Sequence, residues 1–275
     1  KVAEQLPLTV ISPRPWSPFD RMIRWLRPGF RKPLPRAWDD AEVAVEAPRF
    51  PSMPGLLKRW DGAAVARALY TRVARLKAEG RVDVLDAHFG YPDGYAAVLV
   101  GRRLGIPVTV TFRGTEARLA RTPWARKRLQ AVAGGATRVL TVSESLRQVA
   151  ISLGADPARS KVVANGVDTD LFKPMEQAEA RSRLGIEPEA TVLVTVGGLC
   201  ERKGQHRVLE LLPGLAEHVP ALHYLVVGGA SGEGDWERIL REQASSLRVA
   251  DRVHFLGAVP PATVPEALAA ADVFV

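Results

Sequence analysis

Short β-branched runs and longer stretches of helical spacing alternate along the 275 residues, and the series occurs twice. In the first series, strands are expected at Leu8–Ile11, Glu42–Ala47, Val82–Leu85, Pro107–Thr111, Arg138–Val142 and Lys161–Ala164. Among the intervening stretches, "GAAVARALYTRVARLKAEG" puts Val65, Leu69, Val73 and Leu76 on one helical face and stops at Gly80. "PDGYAAVLVGRRLG" begins after Pro92 and ends at Gly105, and "SESLRQVAISLG" opens on Ser143 as an N-cap and closes at Gly154. After Gly166 the pattern restarts, with strands Val192–Val196, His223–Val227, Val253–Leu256 and from Asp272 onward, and a helix over Asp235–Leu247. Strands alternating with helices imply parallel sheets flanked by helices. The break falls at "NGVDTDLFKP", where Asn165-Gly166 signals a turn and Pro174 stops a helix. The expectation is an α/β chain of two doubly wound, Rossmann-like domains, residues 1–165 and 166–275. The chain stops at "AADVFV", inside an apolar strand, so the second domain is expected to be incomplete.

An apolar content of 47% and a charged content of 25% are ordinary for a globular protein. The single cysteine, Cys200, excludes an internal disulfide and a Cys-rich zinc site. Tyr95–Val110 is the most apolar long stretch, but Arg102 and Arg103 cut it, so it does not read as a membrane span. The net charge of +8 is lopsided: 28 Lys/Arg stand against 14 Asp/Glu through Asn165, and 10 against 16 after it. A basic first half calls for an anionic partner. Within it, residues 12–38 hold seven Arg/Lys and one Asp, interleaved with Trp16, Phe19, Trp25, Phe30 and Trp38. Cations and aromatic rings together suit an anionic membrane surface. The alternative is a Pro-rich surface loop with its rings tucked onto the domain. Nucleic acid is disfavoured, because the second half is acidic.

In an α/β sheet, ligands bind at the carboxyl ends of the strands. Gly197-Gly198 follows Val192–Val196 at such an end, and the bare backbone there can bring N–H groups close to an oxyanion. Arg202 and Lys203 add charge, which makes a candidate diphosphate cradle. It is neither a Walker loop nor GxGxxG. A second glycine turn, Gly228-Gly229 in "VVGGASGEGD", lies one βα unit later; the pair fits a nucleotide-sugar site, or two ordinary βα loops. In the first half, His88 follows the strand Val82–Leu85 and can donate to a sugar hydroxyl or phosphate, or serve structurally. At the next strand end, Arg113 can pair with an anion and Glu116 can accept from a hydroxyl, unless the two simply pair with each other.

"VVANGVDTDLFKP", "TVGGLCERKG", "DRVHFLGAV" and "AADVFV", with "DAHFGYPDGYAAVLVGRRLGIPVTVTFRGTE" before them, resemble the family 4 glycosyltransferases of GT-B fold, in the right order over nearly the whole chain. The resemblance implies transfer of a glycosyl group from a nucleotide-sugar to a glycan or lipid-linked acceptor, with retention and without a bound metal or cofactor. It implies a donor-side second domain, in which Lys203 contacts the diphosphate, and an acceptor-side first domain. His88 matches the family's histidine near the reacting sugar, and Asn165-Gly166 the interdomain turn. Gly198 stands where the family often has arginine, and Arg113-Gly114 where His-Gly is frequent. Two glutamates separated by seven residues would follow Val275, and a first strand with a glycine-rich loop would precede Lys1. The chain is therefore expected to be inactive by itself. Envelope or exopolysaccharide synthesis in the cytoplasm, with residues 12–38 resting peripherally on the inner face of the membrane, is what the family and the basic half suggest. The rival readings are a GT-B-fold epimerase or phosphorylase and a non-catalytic scaffold for nucleotide-sugar or membrane.

Overall fold

The structure, a computed structural model, describes residues 6–26, 30, 31, 33, 35–40, 43–231 and 234–275, with Asp40 described for its backbone only. The chain divides into two compact units, Lys1–Asn165 and Gly166–Val275. Both are α/β with parallel sheets, the two Rossmann-like units that the sequence reading expects.

The first unit opens with β1 (Val10–Ile11), β2 (Arg14–Trp16), α1 (Asp20–Leu26), β3 (Ala37–Asp40), β4 (Val43–Glu46) and β5 (Arg49–Pro51). It continues with α2 (Asp61–Ala78), β6 (Leu85–His88), α3 (Tyr95–Leu104), β7 (Val108–Phe112), α4 (Thr115–Leu119), α5 (Pro123–Gly135), β8 (Arg138–Thr141), α6 (Glu144–Ser152) and β9 (Ser160–Val162). Strands β6, β7, β8 and β9 pair in that order, all parallel. One face of this sheet, through Ala87, Val108, Val110, Phe112 and Val139, meets Leu129, Val132 and Ala133 of α5 and Ala150 of α6. Helix α3 joins two cores, because Val100 and Ala96 turn instead to Val65, Ala66 and Val73 of α2. The spacing of Val65, Val73 and Leu76 buries one face of α2, as their periodicity requires.

Three details differ from the sequence reading. The strand expected at Val82–Leu85 is Leu85–His88, because the ladder is set by Val108–Phe112, with Leu85 opposite Val108 and His88 opposite Thr111. His88 therefore ends the strand rather than following it. Not every pairing is parallel: β3 runs antiparallel to β4, while β1 pairs with β4 and β2 with β5 in parallel. Residues 12–38 are not simply loop, since β2 and α1 lie within them. A buried knot holds this segment: Asp20 accepts from the Ser17 N–H (3.0 Å), the Ser17 hydroxyl (2.7 Å) and Arg31 (3.2 Å). Burial pushes the Asp20 carboxyl up, but the Ser17 and Arg31 interactions outweigh it and hold it below the usual range. Residues 27–29, 32 and 34 of the segment, and Glu42 of the predicted strand Glu42–Ala47, lie outside the described residues.

The second unit runs α7 (Gln177–Leu184), β10 (Thr191–Val196), α8 (Gln205–His218), β11 (Leu222–Val227), α9 (Trp236–Ser246), β12 (Val253–Gly257), α10 (Val264–Ala270) and β13 (Val273–Phe274). Its parallel sheet has the order β12-β11-β10-β13. Period-two alternation sends Leu193, Tyr224 and Val226 to Leu209, Leu212 and Leu240 on α8 and α9. It sends Val192, Val194, Leu225 and Val227 to Ala180 of α7 and to Ala267 and Ala270 of α10. Helices thus cover both faces. Tyr224 sits fully buried with its hydroxyl 2.6 Å from Thr195 Oγ1, and burial pushes its phenol up to about 12. Arg181, also buried, clamps the last strand by pairing with Asp272 (2.8 Å), which in turn accepts from the Val192 N–H.

Candidate functional site

In the second unit β10 delivers Gly197 and Gly198 at its carboxyl end. The Gly197 N–H donates to Val227 O (2.8 Å) and the Leu199 N–H to Gly229 O (3.0 Å), while the Gly198 N–H finds no acceptor among the described residues. Lys203 ends a 3-10 turn, Glu201–Lys203, and folds back over Gly197: a Cβ added there would lie 3.1 Å from Lys203 Cε and 3.3 Å from Nζ. Glycine at 197, with φ +151, therefore admits both the backbone bend and the lysine stem. No acid pairs with Lys203 among the described residues. Arg202 is exposed on the same 3-10 turn. The pair of glycine turns interlock. A Cβ at Gly228, φ +147, would lie 2.0 Å from Gly197 O, and the Ser231 hydroxyl donates to Leu199 O (2.6 Å). Gly228 and Gly229 thus support the Gly197 turn by packing, a structural reason for their composition.

Two groups near this turn escaped the sequence reading. Gln205, the first residue of α8 and 1% exposed, donates through Nε2 to Gly198 O (3.4 Å). The Cys200 thiol reaches the same carbonyl at 3.6 Å. The neighbours of Gln205 in the sequence, Lys203, Gly204, His206 and Arg207, give no hint that it is buried.

In the first unit the carboxyl ends of β6 and β7 bring His88, Arg113 and Asn165 together. Arg113 Nη1 donates to His88 Nδ1 (3.1 Å) and Nη2 to Asn165 Oδ1 (3.0 Å). His88 Nε2 lies 3.3 Å from Asp86 Oδ2. Both ring nitrogens are therefore engaged. Glu116 turns its carboxylate toward the backbone. It is 0% exposed, and its carboxylate accepts from the N–H groups of Gly90 (2.7 Å), Arg113 (3.1 Å) and Gly114 (2.9 Å). It also accepts from the Thr115 hydroxyl (3.4 Å) and, rather than pairing with the Arg113 side chain, ties the turn after β6 to the turn after β7. Nearby, Phe89 takes φ +69 and burial pushes the Asp93 carboxyl above the usual range. Among the described residues no group of three or more His, Cys, Asp or Glu could hold a metal.

The model for Glycosyltransferase Family 4 matches residues 8–171, and that for Glycosyl transferases group 1 matches residues 176–275. The chain belongs to glycosyltransferase family 4. Among the relatives of this family 4 chain, the D-inositol 3-phosphate glycosyltransferase of Geodermatophilus obscurus is 32% identical, over 71% of this chain and 47% of its own length. A GDP-mannose-dependent alpha-(1-6)-phosphatidylinositol monomannoside mannosyltransferase of Mycolicibacterium smegmatis is 31% identical, over 74% and 53%. The chain thus spans about half the length of these relatives. Among solved structures, HepE of Anabaena in complex with UDP and glucose aligns with TM-score 0.64 at 23% identity, over 85% of this chain and 60% of that one. Sucrose-phosphate synthase of Thermosynechococcus elongatus aligns with TM-score 0.69 at 15% identity, over 98% and 72%. Both place the fold among GT-B glycosyltransferases.

Proposed function

We propose that the protein transfers a glycosyl group from a nucleotide-sugar to a glycan or lipid-linked acceptor, with retention, in envelope or exopolysaccharide synthesis. The observation that carries this reading is the Lys203 stem folded over Gly197, beside the Gly198 N–H, which has no acceptor among the described residues, and the first turn of α8. Cleaving the anomeric C–O bond leaves an oxocarbenium-like sugar and a nucleotide diphosphate. A lysine ammonium, a backbone N–H and a helix N-terminus are the groups that stabilise the charge of that leaving group. The names of the relatives support a phosphorylated or lipid-linked acceptor and a nucleotide-activated donor.

The test is turnover with UDP- and GDP-sugars in a chain of the relatives' full length, with product analysis to separate transfer from epimerisation. Lys203→Ala is expected to lower kcat by at least tenfold, on the scale of about 3 kcal/mol for a lost preorganised donor. Unchanged turnover at saturating donor overturns the assignment.

The same reading includes a peripheral hold on an anionic membrane at the inner face, through residues 12–38. What supports it is exposure: Trp25 is 83% exposed, and Met22, Leu26, Phe19 and Trp16 also face outward, with Arg21 exposed among them. Phe30 and Trp38, by contrast, are half-buried with Arg31 and Arg14 over their rings. Among the described residues no helix is long and apolar enough to cross a membrane. Flotation with anionic vesicles at low salt checks this, and absence of binding ends it.

A further inference from the structure

Arg113 is fixed in direction without being neutralised. Its guanidinium donates to an imidazole and an amide, both uncharged acceptors, and no carboxylate pairs with it among the described residues. Other arginines of the same unit are treated differently: Arg31 pairs with Asp20, Arg72 with Glu46 and Arg147 with Glu144. The adjacent acid, Glu116, is turned inward and consumed by backbone N–H groups. Arg113 is itself exposed, and its guanidinium has N–H donors beyond the two taken by His88 and Asn165. An arginine held rigidly by neutral partners, with its charge intact, has the properties of an oxyanion receptor: direction without competition.

The contact with His88 also fixes a proton. A guanidinium can only donate, so His88 Nδ1 must offer its lone pair, and the ring hydrogen must sit on Nε2. That nitrogen lies 3.3 Å from Asp86 Oδ2, two residues back on the same face of β6. The second Asp86 oxygen accepts from Thr109, the residue opposite it on β7. A line of contacts thus runs Thr109, Asp86, His88, Arg113, Asn165, and each member sets the orientation of the next. Neither Asp86 nor Thr109 stands out in the sequence, because their relation depends on strand register.

We propose that Arg113 binds an oxyanion, a phosphate or carboxylate group, and that Asp86 is the positioning residue that selects the His88 tautomer on which the aim of Arg113 depends. The identity of the molecule carrying the anion rests on the transferase reading, which makes it a phosphate of one of that reaction's substrates. The anion site itself does not need that reading.

The test uses the 275-residue chain labelled with [15N]histidine, at about pH 8 so that free imidazoles are neutral. Ring-nitrogen spectra are expected to show His88 as the Nε2–H tautomer, and Asp86→Ala, which removes the acceptor facing Nε2, is expected to admit the other tautomer while the other histidines keep their signals. Inorganic phosphate is expected to shift His88 Nδ1 along a saturating curve. Arg113→Gln is expected to weaken that response roughly tenfold or more, the scale of a charged hydrogen bond. Arg113→Lys, which keeps the charge without the fork, falls between the two. Thermal melts of each variant separate loss of the site from loss of the fold. An Nδ1–H tautomer in the wild-type chain, or a phosphate response unchanged in Arg113→Gln, overturns the proposal. UDP and glucose 6-phosphate, titrated in parallel, name the carrier by which one shifts His88 at lower concentration; silence with both overturns it. No step measures glycosyl transfer, so a failed donor screen and a failed anion site give different results.

Discussion

The turn after β10 and the paired turns after β6 and β7 both end parallel strands with polar groups, yet they are assembled by opposite means. The turn after β10 is built from backbone. Gly197 and Gly228 press together so closely that a single added carbon would overlap a carbonyl, and a flexible lysine stem lies over Gly197. The turns after β6 and β7 are built from side chains: a buried glutamate laces two loops, and an arginine is aimed by a histidine and an asparagine. The first plan concentrates tolerance in the lysine and rigidity in the glycines. The second spreads both over several residues, so no single substitution should be as damaging to the fold.

The largest effect should come from Gly228→Ala. Its Cβ would lie 2.0 Å from Gly197 O, a backbone atom that cannot step aside, and φ +147 is strained for alanine. A loss of about 3 kcal/mol is expected, the size of a severe overpacking at an incompatible backbone site. Urea unfolding of wild type and variant measures it. At Gly229 the added carbon would lie 3.0 Å from the Ala258 Cβ, a side-chain contact, so Gly229→Ala serves as the milder control. If both cost the same, the interlocked glycines are not what makes the turn rigid.

Next comes Glu116→Gln, the corresponding test of the side-chain plan. The amide NH2 has no acceptor among three inward N–H donors, so at least one buried donor is stranded. About 2 kcal/mol should be lost. The amide exchange rates of Gly90 and Gly114 should rise together, because one carboxylate holds both. Independent changes at the two amides would mean that Glu116 does not lace the loops.

The same contrast explains what could be read before any coordinates. The alternation of strands and helices survives as two α/β units, because period two and period 3.6 are local properties of the chain. Gly197, Gly198 and Lys203 were legible because a glycine turn and its lysine lie within seven residues of one another. Asp86 and Thr109 were not, since they meet only through the β6–β7 register, and that register also moved the strand from Val82–Leu85 to Leu85–His88. Glu116 was legible as a polar group at a strand end that could accept from a hydroxyl or pair with Arg113, but the N–H groups of Gly90, Arg113 and Gly114 that its burial requires as partners were not. Residues 12–38 showed their cations and rings in composition, but not that Asp20 would pin one end of the segment while Trp25 stands open.

The smallest expected effect probes a side-chain pair inside the unit whose Gly197 turn relies on backbone. His223 on β11 and His254 on β12 are partly buried, with Nδ1 and Nε2 2.9 Å apart. A bond of that length needs one hydrogen and one lone pair, so two protonated rings cannot share it. Burial, and secondarily the charge of His223, pushes the His254 imidazole below its ordinary value. Its folded value then lies beneath the unfolded one near 6.5, so the folded state disfavours the proton. The contribution is complete above the unfolded value and is lost as pH falls from there through the lowered folded value. Urea midpoints are therefore expected to drop more for wild type than for His254→Phe between about pH 7.5 and about pH 5. The effect should be smaller than that of Glu116→Gln, because the rings are partly open to solvent and water screens them. Parallel midpoint curves would show that the pair does not couple to folding, leaving the second unit without a titrating side-chain element of its own at this place.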